Sequence, residues 1–297
     1  MTNKPQFPGT YTAIVTPFQG GEVDADALQR LIRIQIRAGV DGIVPVGTTG
    51  ESPTLSYEEH IEVIRLAVQF AAGKIKVIAG TGGNSTSEAI YLTKAAEEAG
   101  ADASLQVAPY YNKPTPEGLF QHFHAVARAT RLPILLYSIP GRCAIEIGVD
   151  TVHRLAHDSV NIVGIKEASG NADRINQLRA ALGPGFTLLS GDDALTLPFM
   201  AAGAHGVISV ASNVIPREVS LMVRSFLRHR PDQALKLHTK FYPLFKDLFI
   251  ETNPAPVKAA LGMLGLIEED LRLPLVPISP ASKKKLEATL KACGVLS

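Results

Sequence analysis

The sequence predicts an α/β fold: a closed (β/α)8 barrel with a helical C-terminal extension. Three observations carry this reading. Short β-type apolar runs alternate with longer amphipathic stretches up to Pro216, matching such a barrel in size and order. Gly or Pro marks most junctions, among them Ala38-Gly39, Ala99-Gly100, Leu132-Pro133 and Ala202-Gly203. The polar and chemically unusual residues gather immediately after the apolar runs, and a TIM barrel builds its active site at the C-terminal ends of its strands.

The first strand is expected at Tyr11–Thr16, followed by a helix at Asp26–Ala38. The second strand, Gly42–Val46, leads to a helix at Glu58–Ala72, and the third, Ile75–Ala79, to one at Glu88–Glu98. Ala103–Ala108 is the fourth strand and precedes Leu119–Arg131; Ile134–Tyr137 is the fifth. The sixth, Ile162–Lys166, is a run of Ile and Val bounded by turn residues, the pattern of a buried parallel strand, and leads to Ala172–Leu182. Thr187–Ser190 and Gly206–Val210 complete the set. Beyond Pro216 the pattern is helical only, at Val219–Leu227, Gln233–Phe249, Pro256–Leu264 and Ser282–Ala292. The chain therefore divides into a catalytic barrel, residues 1–230, and an extension, residues 231–297. A doubly wound open sheet is the alternative, but no Gly-x-Gly-x-x-Gly follows the first strand.

Composition narrows the function class. The 297 residues are 46% apolar, enough for a substantial core. A net charge of +1, with both signs interspersed, argues against a nucleic-acid or polyanion partner, and Lys283-Lys284-Lys285 reads as a solvated helix face. Cys143 and Cys293 are too few for a secreted disulfide scaffold. The first residues hold no apolar leader and no run reaches membrane-span length, so the expectation is a cytoplasmic protein without a membrane partner.

Lys166 is the most informative residue. It closes a buried-strand pattern, yet lysine is costly to take out of water. Alternation puts Lys166, Gly164 and Ile162 on one face and Ile165 and Val163 on the other, with Gly164 leaving space beneath the lysine. An amine in a dry pocket loses its proton more readily and becomes a nucleophile suited to Schiff-base chemistry; the alternative is a strand-end lysine snorkelling to solvent. Glu167 is expected to face away. Tyr137 can set a phenol beside the amine to move protons, or be a core tyrosine with a satisfied hydroxyl. Gly47-Thr48-Thr49-Gly50 offers backbone N–H groups and two hydroxyls to a small carboxylate or phosphate, or is a capped βα turn. Arg142 can grip a carboxylate bidentately, or make a surface ion pair. Asp192 and Asp193 read as helix N-caps.

A metal centre is not expected. His153 and His157 share a helix face without a third ligand at a suggestive spacing, and His122 and His124 fall on different faces. The loop Gly80-Thr81-Gly82-Gly83-Asn84-Ser85 could cradle the phosphate of a pyridoxal cofactor on Lys166, but no acidic partner for the pyridine nitrogen is evident.

Gly47-Thr-Thr-Gly-Glu51, Pro109-Tyr-Tyr-Asn-Lys-Pro114, Leu136-Tyr137 with Pro140-Gly-Arg142, Gly164-Ile-Lys166-Glu and Ser190-Gly-Asp-Asp193 together resemble the motifs of the dihydrodipicolinate synthase and N-acetylneuraminate lyase family of class I aldolases. The resemblance keeps the motif order over nearly the whole chain. It implies a barrel with a C-terminal helical region, a homotetramer built as a dimer of dimers, and no cofactor beyond the covalent imine between Lys166 and pyruvate. It assigns proton relay to Tyr137, Thr48 and Tyr111, the last reaching a partner's site across a two-fold interface. It places Thr49, Gly191 and Ile208 around pyruvate. Arg142 selects the synthase branch, which joins pyruvate to L-aspartate 4-semialdehyde in lysine (diaminopimelate) biosynthesis; an aldolase or lyase for a different 2-oxo acid is the alternative. Synthases usually carry Asn after the strand-five tyrosine and Thr-Gly after the arginine, where this chain has Ser138 and Cys143-Ala144 beside the expected acceptor site. A lysine inhibitor site is implied at Pro53, Tyr57, His60, Asn84, Glu88 and Tyr110.

Overall fold

The computed structural model describes residues 5–297. Parallel strands close into a barrel: β1 (Gly9–Thr12), β2 (Gly42–Ile43), β3 (Lys76–Gly80), β4 (Ala103–Val107), β5 (Ile134–Ser138), β6 (Ile162–Glu167), β7 (Thr187–Ser190) and β8 (Gly206–Ser209). Each pairs with its sequence neighbours, and β1 closes the ring on β8. The helices that surround it are α1 (Ala25–Ala38), α2 (Tyr57–Ala71), α3 (Thr86–Glu98), α4 (Pro116–Arg128), α5 (Val149–Asp158), α6 (Asp173–Leu182), α7 (Thr196–Ala201) and α8 (Pro216–Leu227). The extension adds α9 (Pro231–Asp247), α10 (Ala255–Met263) and α11 (Pro280–Ala292). The predicted barrel and its helical extension are both present.

The differences from the sequence expectation have local causes. Several helices start before their apolar periodicity because their first turns are set by polar caps. Ser56 and Glu59 form a capping box on α2, Thr115 caps α4 ahead of Pro116, and Asp24 caps α1. β2 stops at Ile43 rather than Val46, since Pro45 has no N–H to give and Val46 turns left-handed at φ 49°. β1 begins earlier than Tyr11 because Gly9 packs backbone to backbone on Gly206. A Cβ on Gly206 would stand 1.9 Å from the Gly9 carbonyl oxygen. A small antiparallel hairpin, Phe18–Gln19 with Glu22–Val23, was not expected; Gly20 and Gly21, at φ 61° and 85°, make its turn.

Two apolar layers hold the fold. One lies between the strands and the helices, and the other fills the barrel, with Tyr11, Ile78, Leu105, Leu135, Leu189 and Ile208 among its members. Strict alternation fails in β6. Its register against β5 jumps from Ile134–Ile162 to Leu135–Gly164, so Val163 is an extra, bulged residue. Ile162 consequently joins the outer layer and Val163 packs against the interior, which corrects the expectation that Ile162 shares the face of Lys166. Nor does Gly164 leave a void. A Cβ there would meet the Thr187 carbonyl oxygen at 2.7 Å, so the glycine lets β7 approach closely.

Candidate active site

Lys166 and Tyr137 stand opposite each other in the β5–β6 register, both with side chains in the barrel interior at its C-terminal end. Lys166 is 6% exposed and Tyr137 5%, which removes the snorkelling alternative. The Lys166 Nζ lies 4.0 Å from the centroid of the Tyr137 ring, where the face of the π system favours a cation. Gly191 makes room for the lysine stem. A Cβ at that position would fall 3.0 Å from Lys166 Cε and 2.7 Å from Ala168 Cβ. Glu167 points outward, as its position on the strand requires, and is buried there against Arg174 Nε at 3.1 Å while accepting from the Ser169 N–H at 2.7 Å. Its charge is thus neutralised behind the barrel wall, away from the amine.

Tyr137 lines a cavity of about 230 Å³, a volume suited to metabolites of a few heavy atoms, whereas Lys166, Thr49 and Gly191 lie outside its lining. Thr48, Pro53, Tyr110, Tyr137, Arg142 and Cys143 are among its lining residues. The Thr48-Thr49 turn is closed by the Gly50 and Ser52 N–H groups donating to the Gly47 carbonyl and by the Glu51 N–H donating to that of Thr48. The N–H groups of Thr48 and Thr49 find no acceptor among the described residues, and Thr48 lines the cavity; two such donors in one turn can receive a carboxylate. The Thr49 hydroxyl is already engaged, accepting from Asn253 Nδ2 at 3.0 Å. Ile208 is buried in the barrel interior rather than on the cavity wall.

Arg142 sits on a single helical turn, Pro140–Cys143, exposed and with Nη2 donating to the Asn253 carbonyl at 3.1 Å. Of the three departures near it, only Cys143 lines the cavity. Burial pushes its thiol up to about 11. Ser138 faces away and accepts from the Ile147 N–H at 3.3 Å, while Ala144 is exposed.

Tyr111 does not join the site within one chain. It is 90% exposed, at φ 74°, inside a tight turn in which the Asn112 N–H donates to the Tyr110 carbonyl at 2.9 Å. Tyr110 is half-buried on the cavity wall, its phenol raised by burial and then by Glu88. Asn84 Nδ2 holds the Tyr110 carbonyl at 3.2 Å, and Glu88 raises the exposed Tyr57 phenol through its charge. His60 is buried beneath, Nε2 2.8 Å from the Gly80 carbonyl, and burial lowers it to about 4.

The two aspartates divide. Asp192 is not the N-cap of α7, a position held by Leu195 without a side-chain cap; it accepts from the Ala194 N–H at 2.8 Å in the turn that precedes the helix. Asp193 instead reaches across to the end of β8, accepting from Ser209 Oγ and from the N–H groups of Val210 and Ala211. Burial lifts its carboxyl to about 6. His122 is buried and His124 half-buried, in keeping with different faces of α4, and among the described residues no three His, Cys, Asp or Glu side chains gather as metal ligands.

Sequence reasoning missed Asn253 and Lys258 and named Glu51 only within its motif, without a role. Asn253 joins the turn to Arg142; Lys258 forms a fully buried ion pair with Glu51. The available signal was a lysine inside the apolar segment Ala255-Pro-Val-Lys258-Ala-Ala-Leu261.

A buried lysine facing a tyrosine inside a barrel is an arrangement able to support carbonyl chemistry through an imine. The chain belongs to the dihydrodipicolinate synthetase family, whose model matches residues 6–293. It is 54% identical over 285 residues to the 4-hydroxy-tetrahydrodipicolinate synthase of Aquifex aeolicus, covering 96% of this chain and 97% of that one. The solved 4-hydroxy-tetrahydrodipicolinate synthase of Methylacidiphilum fumariolicum SolV superposes with a TM-score of 0.96 at 58% identity, over 97% of this chain and 96% of that one. The enzyme of Cyanidioschyzon merolae, solved with lysine bound, gives 0.96 at 44% identity over 99% and 100% of the two chains.

Proposed function

We propose that this chain is a lyase that condenses pyruvate with L-aspartate 4-semialdehyde to 4-hydroxy-tetrahydrodipicolinate, in lysine and diaminopimelate biosynthesis. The observation that carries the reading is the buried Lys166 amine over the Tyr137 ring at the barrel mouth, supported by full-length relatives of that activity. Lys166 attacks the pyruvate ketone. Tyr137, Thr48 and a partner's copy of Tyr111 carry the protons that expel water, leaving an imine whose carboxylate rests on the Thr48 and Thr49 N–H groups, with Gly191 and Ile208 shaping its surroundings. Loss of a methyl proton gives the enamine, whose carbon attacks the aldehyde of the second substrate while Arg142 holds that substrate's carboxylate. The amine of the second substrate then displaces Lys166 as the ring closes. The imine serves as the electron sink, so the sequence of steps calls for no metal or organic cofactor.

The same reading makes the protein a cytoplasmic homotetramer, a dimer of dimers, with residues 1–230 as the catalytic barrel and 231–297 as the extension. Among the described residues no helix is long and apolar enough to cross a membrane. Lysine is proposed to inhibit at Pro53, Tyr57, His60, Asn84, Glu88 and Tyr110, on the model of the lysine-bound relative; turnover unchanged at millimolar lysine excludes this. Pyruvate with borohydride should add one reduced pyruvyl group, located at Lys166 by mass spectrometry. Label elsewhere, or none, removes the imine mechanism. A panel of aldehydes offered with pyruvate tests the acceptor: preference for a neutral aldehyde points instead to an aldolase for a different 2-oxo acid.

A further inference from the structure

Glu51 directly follows the carboxylate cradle and holds a left-handed backbone at φ 55°, a conformation that disfavours a residue with a Cβ. Its N–H closes the turn on the Thr48 carbonyl at 3.2 Å. Its side chain is fully buried, with both oxygens held from the extension: Lys258 Nζ pairs with Oε1, and the Arg272 N–H donates to Oε2 at 3.2 Å. Lys258 is itself fully buried on α10, donates to the Asp270 carbonyl at 2.9 Å, and lies 4.2 Å from the Phe18 ring centroid. The Arg272 guanidinium covers the same ring at 4.4 Å and binds Glu59 at the start of α2.

A buried ion pair is a poor way to gain stability, since apolar residues of similar volume often do as well or better. What such a pair does supply is one geometry. Because this one grips the residue that closes the cradle, its geometry is passed to the Thr48 and Thr49 N–H groups.

We propose that Lys258 is a positioning residue: its pair with Glu51 fixes the Thr48-Thr49 turn in the shape that receives the pyruvate carboxylate. This rests on the imine reading above. The extension is then part of the pyruvate site although it touches no substrate.

The test uses the full-length enzyme with Lys258→Met and the charge-free double variant Glu51→Gln/Lys258→Met. Melting temperature, half-saturating pyruvate for borohydride trapping at Lys166, and separate KM values for the two substrates are measured. Lys258→Met, folded but less heat-resistant, should need on the order of 10- to 100-fold more pyruvate, as for a small misplacement transmitted to a site. Its KM for aspartate semialdehyde should stay within about twofold of the unmodified enzyme, well below that displacement effect. The double variant leaves no charge unpaired, so its melting temperature should recover while its pyruvate requirement stays high. Recovery of both, or a folded Lys258→Met that traps pyruvate normally or moves both KM values together, overturns the proposal. If Lys258→Met does not fold, the double variant decides alone. An unmodified protein that traps no pyruvate at Lys166 removes the functional reading and this one with it.

Discussion

The barrel floor and the rim of the cavity are built on different terms. At the floor, Lys166 and Tyr137 are strand residues, buried, paired in register, and crowded by Gly191 so tightly that one added carbon would collide with the lysine stem. At the rim, Tyr111, Lys113 and Ala144 hold left-handed backbones, and Tyr111 and Arg142 stand in solvent. The floor is complete within one chain. The rim is held by a few hydrogen bonds at Asn84, Asn112 and Asn253, and on the proposed reading it is completed from outside, by an acceptor and a second subunit. On that reading, bond-making chemistry falls on strand residues and acceptor recognition on loop residues.

The strongest attack on this contrast is Lys166→Ala, which should abolish both pyruvate labelling and turnover while the melting temperature shows a folded barrel. Residual turnover would move the chemistry off the floor. Arg142→Ala strikes the rim and should cost roughly 1–3 kcal/mol of transition-state binding, as when a charge-assisted hydrogen bond is lost from an exposed site. The loss should be confined to aspartate semialdehyde; a matching fall in pyruvate trapping would mean that rim and floor are not separable.

Acid should find a weakness outside the floor, where α2 meets β3 at His60. Burial lowers His60 from the ordinary 6.5 to about 4, so the folded form resists a proton that the unfolded form accepts. Stability from this residue is whole above pH 6.5 and is lost as pH falls toward 4, by roughly 3 kcal/mol at most. His60→Gln, still able to donate to the Gly80 carbonyl, should flatten the urea-unfolding free energy across that window. An unchanged slope would refute the assignment. Last, Tyr111→Phe should slow turnover by about a hundredfold, the low end of acid–base effects, without unfolding the protein. Hybrids of Tyr111→Phe and Lys166→Ala subunits should regain some activity. Hybrids that assemble yet stay inactive would return the rim to a single chain.

The sequence made the floor legible and the rim only partly so. Lys166, Tyr137 and the Thr48-Thr49 turn stood out because barrels place chemistry after each apolar run, and that rule is local in sequence. Glu167 facing outward followed from alternation alone. Asp193 was misassigned because its partners, at Val210 and Ala211, are distant in the chain. Asn253 and Lys258 were missed for the same reason, since nothing nearby says that the extension returns over the mouth. Helix starts slipped where caps rather than apolar spacing set the first turn, as at Thr115-Pro116.

The bulge at Val163 has a further meaning for how such a strand can change length. Counted from its first residue, β6 is one position out of step with its neighbour; counted from its last, it is in step. Removing Val163 would restore simple alternation and leave Ile165 outside and Lys166 inside, as they are now. Gains and losses of a residue near the barrel's base are therefore absorbed before they reach the mouth. The direction in which the Lys166 amine points is insulated from a one-residue change in strand length at that bulge.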